Sequence, residues 1–320
     1  MKKVIVTGAT SMIGQALVQE CLEHGVQVCA VIRQDTGRRD RLPEHPNLEL
    51  AECSLEEIDR LPEIITGTWD TFYHIAWGYT GAARNKSVLL QSKNIDYTLS
   101  AVQAASKLGC KRFIGAGSQA EYGPLDQEKI GQDAPEHPTT PYGVSKLAAG
   151  KLSRILCAEL GMEWIWPRIF SVYGIYDKES TMVMTALRQF MNGEETAFTP
   201  GEQQWDYLYS KDAGKAFYLI GEKGKNGSVY CVGSGQSRRL KEYILKIRDI
   251  AAPSAEPGIG KKPYPAQPVM RLCADISSLT EDTGFVPAYE FSEGISEMVH
   301  CIKNQCGHET AGRCNEEKNT

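Results

Sequence analysis

No run of residues in this chain approaches the ~18 consecutive apolar side chains that a membrane-spanning helix requires. Positive charge is short as well: 35 Lys and Arg face 40 Asp and Glu, for a net charge of −5, and no basic stretch concentrates them. That argues against a nucleic-acid surface as the main function. The charged start Met1-Lys2-Lys3 imitates a secretion signal only briefly, because the apolar run ends at Thr7-Gly8. These absences lead to the expectation of a cytoplasmic protein that binds neither membrane nor nucleic acid.

A disulfide framework is also lacking, although the chain has ten cysteines. Seven of them, from Cys21 to Cys273, stand singly and mostly inside apolar segments, the setting of reduced, buried thiols. Cys301, Cys306 and Cys314 gather with His300 and His308 in polar surroundings, but their spacing fits no zinc pattern. The expectation is no metal site, and a disordered tail over residues 304–320.

What is present is a folded domain's composition, 42% hydrophobic and 23% charged over 320 residues, enough for a large core in two connected lobes. Strand-like apolar runs at 3–7, 26–32, 48–51, 71–75, 112–116 and 164–169 alternate with helical patterns such as 13–24, 89–108 and 141–160. Such alternation predicts an α/β fold with a parallel, doubly wound sheet, and ligands at the carboxyl ends of its strands. After about residue 170 the elements shorten, and 253–268 holds five prolines. This less regular half reads as a lobe that covers the substrate.

The first strand runs directly into Gly8-Ala9-Thr10-Ser11-Met12-Ile13-Gly14 and then a helix, so backbone amides and the helix N-terminus can hold a pyrophosphate. Where a middle glycine is expected for close phosphate approach, Ser11 offers a hydroxyl that can donate to phosphate itself. The end of the second strand bears on the cofactor: an acidic residue there bonds the ribose 2′-hydroxyl of NAD, while an arginine accommodates the 2′-phosphate of NADP. Arg33, 19 residues beyond Gly14 and followed by Arg38 and Arg39, favours NADPH. Asp35 keeps NAD open.

Tyr142-Gly143-Val144-Ser145-Lys146 stands at a helix start, with Thr140 suited to the cap and Pro141 to the first turn. Spacing by four puts Tyr142 and Lys146 on one face. A cation beneath a phenol lowers its pKa, which suits the phenol to exchange a proton with a carbonyl or alcohol oxygen. Tyr207 and Lys211 share this spacing, but they fall in a β-rich run where four residues span roughly 13 Å.

With Ser118 placed 24 residues before Tyr142, the chain resembles the extended short-chain dehydrogenase/reductase family, in its nucleotide-sugar epimerase, dehydratase and reductase branch. The resemblance covers about residues 3 to 300. Its landmarks are the turn from Thr7 to Gly14, His74-Ile75-Ala76-Trp77, Asn94, Ser118-Gln119-Ala120-Glu121-Tyr122-Gly123, Tyr142 to Lys146, Pro167 to Gly174, Asp206 to Ala213, and Thr283 to Pro287. It implies a Rossmann-type domain over 1–167, rejoined by 206–232, and a smaller C-terminal α/β substrate lobe made of 168–205 and 233–303. It further implies that Ser118 bonds the reacting oxygen, Tyr142 is the acid/base, and Lys146 bonds the nicotinamide ribose. Cofactor contacts are implied at Gly8, Thr10, Ser11, Met12, Ile13, Gly14, Arg33, Ser54, Leu55, Ile75, Ala76, Trp77, Asn94, Tyr142, Lys146 and Ile169. Substrate contacts are implied at Trp77, Gln119, Ala120, Ser171, Trp205 and Arg271, and a homodimer through helices 92–108 and 141–160.

Departures from the family narrow the reaction. Sugar dehydratases carry an acidic pair just after the Ser118 position, where this chain has Gln119 and Ala120; elimination of water is disfavoured. Glu121, one step on, reads as a buried or loop carboxylate. Trp205 stands where many members have an arginine that grips the nucleotide diphosphate, and it has two readings, a stacking surface or a core residue. Ser54-Leu55 replaces an Asp-Leu pair on the adenine side. The expected activity is an NADPH-dependent reductase of a keto sugar, a nucleotide-linked 4-keto-6-deoxyhexose. The alternatives are a nucleotide-sugar 4-epimerase with tightly held NAD, a reductase of a non-nucleotide ketone, and a dinucleotide-sensing regulator.

Overall fold

The computed structural model describes residues 1–266 and 268–316. In its first half, strand and helix alternate: β1 (Lys3–Thr7), α1 (Met12–Glu23), β2 (Gln27–Ile32), β3 (Leu48–Glu52), the short α2 (Leu61–Ile64), β4 (Thr71–His74), α3 (Val88–Lys107), β5 (Arg112–Gly115), β6 (Gly117–Ser118), α4 (Pro141–Glu159) and β7 (Glu163–Ile169). Local chemistry sets these boundaries. Thr140 Oγ1 accepts from Gly143 N at 3.1 Å and Pro141 occupies the first turn of α4, the cap the sequence promises. Ser11 Oγ accepts from Gly14 N at 3.1 Å and starts α1. Val26, expected in the second strand, instead gives its N–H to the Cys21 carbonyl after Gly25 turns left-handed at φ 72°, so β2 begins one residue later.

The large sheet has eight strands, all parallel, in the order β11-β7-β5-β4-β1-β2-β3 with β6 also on β7; β11 (Val229–Val232) comes from the second half. Strand order reverses between β1 and β4, the switch point where open α/β sheets bind ligands. Every residue of β4 is buried, as are four of the five in β1, because helices cover both faces. One core packs α1 side chains Leu17, Val18 and Cys21 against Val4, Val6 and Phe217. The other packs Ala101, Val102 and Ala105 of α3 and Ala149 of α4 against Ile5, Phe72 and Phe113. The seven scattered cysteines are free and buried; burial pushes the Cys29, Cys110, Cys157 and Cys231 thiols up to about 12, which keeps them protonated and unreactive.

The second half contains β8 (Ser171–Tyr173), α5 (Met182–Met191), β9 (Gln204–Trp205), β10 (Tyr207–Tyr209), α6 (Ser210–Lys223), β11, β12 (Arg238–Arg239), α7 (Leu240–Ala251), β13 (Arg271–Leu272), α8 (Ser277–Thr283) and α9 (Phe291–Glu316). Its aromatic core gathers Tyr173, Phe190, Tyr209, Tyr243 and Phe291. Helix α6 and β11 return to the large sheet, while β12, β9 and β13 form a small sheet of their own. Asp206 ties the lobe together by accepting from the amides of Ser234, Gly235 and Ala274 at 2.8, 3.1 and 3.0 Å. Tyr207 and Lys211 part company: the Tyr207 ring packs on Tyr243 at 5.0 Å, and Lys211 Nζ pairs with Glu297 at 2.7 Å. Helix α9 carries its backbone through Glu316, so the segment expected as a tail continues the helix that far, and 317–320 lie outside the described residues. The side chains of Cys306, His308 and Cys314 also lie outside them. Among the described residues no helix is long and apolar enough to cross a membrane.

Candidate active site

A cleft of about 1650 Å³ opens at the switch point. Its floor is the turn after β1. Gly8 has φ 71°, and a Cβ there would lie 2.7 Å from the Ala76 amide nitrogen; a Cβ at Gly14 would collide with the Gly8 carbonyl oxygen. Only glycine lets the turn close against the strand ends and α1. The first amides of a helix have no intrahelical acceptor. With Gly14 N–H given to Ser11, the Met12 and Ile13 amides are left without an intrahelical acceptor, and both residues line the cleft, a donor pair suited to a pyrophosphate. Because Ser11 Oγ accepts this bond, its own O–H stays free to donate.

Arg33, Arg38 and Arg41 line the end of the cleft beyond β2, and Ser54 and Leu55 line the same end. Asp35 is absent from that lining and lies 4.0 Å from Arg33 on the outer side. Arg41 donates to the Thr10 carbonyl at 3.2 Å, and its guanidinium stacks on the Tyr176 ring at 4.5 Å. At the other end Lys178 Nζ donates to the Thr80 carbonyl at 2.7 Å. The segment 174–179 therefore touches the cleft's opposite wall near both ends.

Between those ends lie Ser118, Tyr142 and Lys146, brought together as the sequence expects. Lys146 is buried and donates to the Ala116 carbonyl at 2.5 Å, and its ammonium stands 3.7 Å from the Trp77 ring centroid. Burial pushes this lysine down to about 7, with Glu121 opposing the shift and Arg84 adding to it. Burial pushes the Tyr142 phenol up, and Arg84 and a hydrogen bond with Ser118 pull it back. The nearest cation on the phenol is thus Arg84, 4.1 Å from its ring centroid, whereas Lys146 is at 5.9 Å. His74 is buried, bonded to Thr7 Oγ1 at 3.1 Å, and pushed down to about 3 by burial and then by Lys146, so it stays neutral.

Glu121 is committed elsewhere. Its carboxylate accepts from the Ser118 amide at 2.8 Å, from Trp166 Nε1 at 3.0 Å and from Arg168 Nε at 2.7 Å, with no exposure to solvent. Arg168 continues to Glu136, which pairs with Lys151. This carboxylate holds the Ser118 strand in place and is not available as an acid or base.

Several residues with implied contacts stand outside the cleft lining. Asn94 is buried and pins the next loop, accepting from Gly78 N at 2.6 Å. Gln119 and Ala120 belong to a single helical turn behind Ser118. Trp205 Nε1 donates to Ser171 Oγ at 2.8 Å, so these two satisfy each other, and Trp205 packs in the second-lobe core. Arg271 is exposed and lies 3.3 Å from Asp126. Sequence reasoning missed Arg84, Tyr176 and Lys178, which sit in turns and loops without periodicity, and Arg41, which ends a single 3-10 turn.

The family model described as the NAD dependent epimerase/dehydratase family matches residues 4–233. The chain belongs to this family. A UDP-glucose 4-epimerase of Corynebacterium glutamicum is 23% identical over 95% of this chain and 99% of its own length. Among solved structures, a UDP-glucose 4-epimerase of Thermotoga maritima with UDP-glucose superposes with a TM-score of 0.85 at 23% identity, over 95% of this chain and 99% of that one. RMD of Pseudomonas aeruginosa, complexed with NADPH, superposes with a TM-score of 0.77 at 23% identity, over 94% and 98%. Family membership makes the chain an NAD(P)-linked enzyme of the extended short-chain dehydrogenase/reductase type, on a Rossmann-like parallel sheet.

Proposed function

We propose that the chain interconverts an alcohol and a ketone on a nucleotide-linked sugar, and that it does so as a 4-epimerase with its dinucleotide retained. The observation that carries this reading is the commitment of Glu121. With that carboxylate spent and Gln119 and Ala120 beside it, the cleft offers Ser118 and Tyr142 for one oxygen and no second acid/base pair for elimination. Epimerase relatives that align along nearly the whole chain support it.

The residues fit a dinucleotide. Met12 and Ile13 amides and the Ser11 hydroxyl would hold the pyrophosphate, Ser54 and Leu55 the adenine side, and Ile75, Ala76 and Ile169 the nicotinamide side. The nicotinamide supplies the site that takes and returns a hydride. Tyr142 Oη removes the proton from the sugar hydroxyl as hydride leaves carbon and restores it on the return, while Ser118 Oγ holds that oxygen. Lys146 steadies the ribose and adds positive charge beneath the phenol. Removing Arg84's effect would raise the phenol further, so Arg84 is the cation that favours the phenolate.

A reductase reading has one observation in its favour: Arg33, Arg38 and Arg41 line the ribose end and Asp35 does not, an arrangement suited to the 2′-phosphate of NADPH. Cofactor stoichiometry separates the two. The purified enzyme is denatured, its dinucleotide identified, and UDP-glucose and UDP-galactose are supplied without added cofactor. Epimerisation with bound NAD supports the main reading. NADPH consumed one for one with a keto sugar replaces it with reduction. A homodimer is also proposed: Val88 and Leu89 of α3 and Val144, Leu152 and Ile155 of α4 are exposed apolar side chains on neighbouring helices, a patch suited to a second copy. The composition suits a cytoplasmic location.

A further inference from the structure

Arg84 stands on the proposed acid/base without a counter-charge. Its guanidinium carbon lies 4.1 Å from the Tyr142 ring centroid. Elsewhere in the cleft, Arg188 pairs with Glu179 at 2.7 Å and Arg33 reaches Asp35 at 4.0 Å. Arg84 has no ion-pair partner among the described residues.

This placement is built by the loop that carries it. Buried Asn94 accepts from Gly78 N at 2.6 Å and donates to Gly78 O at 3.3 Å. Buried Gln91 accepts from Trp77 Nε1 at 3.0 Å and donates to the Tyr79 carbonyl at 2.9 Å. Lys178 takes the Thr80 carbonyl at 2.7 Å. Tyr79 itself has φ 58°, unlike every other non-glycine residue described, a conformation that persists only where the surroundings over-determine it. Three successive carbonyls are each held by a side chain, and the turn that follows delivers Arg84 onto Tyr142.

We propose that Arg84 receives a carboxylate carried by the sugar close to the carbon that reacts at Tyr142, so that the substrate class is a nucleotide-linked hexuronic acid. The inference rests on the reading of Tyr142 as the group that exchanges the sugar's proton. On a hexose reacting at C4, the C6 substituent hangs from the adjacent ring carbon, beside the reacting oxygen. A hydroxymethyl group there gives a guanidinium one weak, neutral acceptor. A carboxylate gives it the planar two-oxygen acceptor that its fork geometry matches, with opposite charge. In a half-enclosed cleft such a pair is screened less than on open surface.

The test compares UDP-glucuronic acid with UDP-glucose, and GDP-mannuronic acid with GDP-mannose, on the cofactor-loaded enzyme. Binding is read by calorimetry and turnover by product analysis, for the wild type, Arg84→Gln and Arg84→Lys. The wild type should favour one uronate over its neutral partner by roughly 30- to 100-fold, the worth of a charged hydrogen-bonded pair. Arg84→Gln should bring that ratio near one, and Arg84→Lys should keep part of it. Any influence of Arg84 on the Tyr142 phenol is common to both sugars of a pair, so the ratio isolates the carboxylate. No preference in the wild type overturns the proposal. So do equal losses for both sugars in Arg84→Gln, which would mean that Arg84 grips a shared group such as the diphosphate. Turnover of neutral sugars alone leaves the proton-exchange role of Tyr142 standing and overturns the carboxylate. Uronate-selective binding that Arg84→Gln abolishes, without turnover, supports the carboxylate and removes the catalytic reading.

Discussion

The Lys146 ammonium stands 3.7 Å from the centroid of the Trp77 ring while donating to the Ala116 carbonyl. Cation–π contact and one hydrogen bond only partly replace the water that burial removes. The lysine is therefore held at about 7, well below its ordinary value. Between that value and about 10.4 the unfolded chain binds a proton that the folded chain does not, so stability rises with pH across this window. Stripped of its dinucleotide, Lys146→Met should melt above the likewise stripped wild type at pH 6.5, and the gap should shrink steadily toward pH 10. Differential scanning calorimetry across that range checks it, and a constant gap would remove the assignment.

Tyr142→Phe deletes the one hydroxyl able to take and return the sugar's proton. Turnover should fall by about 10²–10⁴-fold, the usual worth of a positioned acid/base. Dinucleotide affinity should stay within a few-fold, measured by fluorescence titration. Full activity in this variant would end the mechanism.

Glu121→Ala leaves the Arg168 charge buried without its main partner. Equilibrium unfolding in urea should show a loss of ~3–5 kcal/mol. Replacing both residues, Glu121→Leu with Arg168→Met, should cost less than the single change, because no unpaired charge remains. A double variant that is weaker than Glu121→Ala would refute the ion-pair account.

Arg33→Asp exchanges a cation for a carboxylate at the ribose end of the cleft. Relative affinity should move at least about tenfold from NADP toward NAD, since the change removes an attraction for the 2′-phosphate and adds a repulsion. Competitive titration with the two dinucleotides reads the shift. An unchanged ratio would exclude Arg33 from contact with the 2′ position.

Much of the fold could be read in the sequence because it is set locally. Thr140-Pro141 announces α4, Ser11 and the two flanking glycines announce the turn, and the alternation of apolar runs and helical spacing announces the sheet. Ser118, Tyr142 and Lys146 share the cleft because they sit at strand ends and on a helix whose registers follow from those signals. Other residues depend on long-range pairing. Trp205 is opposite Arg238 and Leu272 in the small sheet, and no local pattern says that its indole will meet Ser171 rather than a substrate. Arg84 reaches Tyr142 only because Gln91, Asn94 and Lys178, from two distant segments, fix the loop before it. Lys146 stands closer to the Trp77 ring, at 3.7 Å, than to the Tyr142 ring, at 5.9 Å, a neighbour that helical spacing does not reveal.

Segment 174–179 meets Arg41 through Tyr176 at one end of the cleft and the Thr80 carbonyl through Lys178 at the other. A ligand lying along the cleft would therefore pass a hexapeptide that lines one wall and is anchored to the other at two points. Tyr176→Ala would release the anchor at Arg41 and should shorten the stay of such a ligand, whereas a change at Lys178 would also loosen the loop that sets Arg84 on Tyr142.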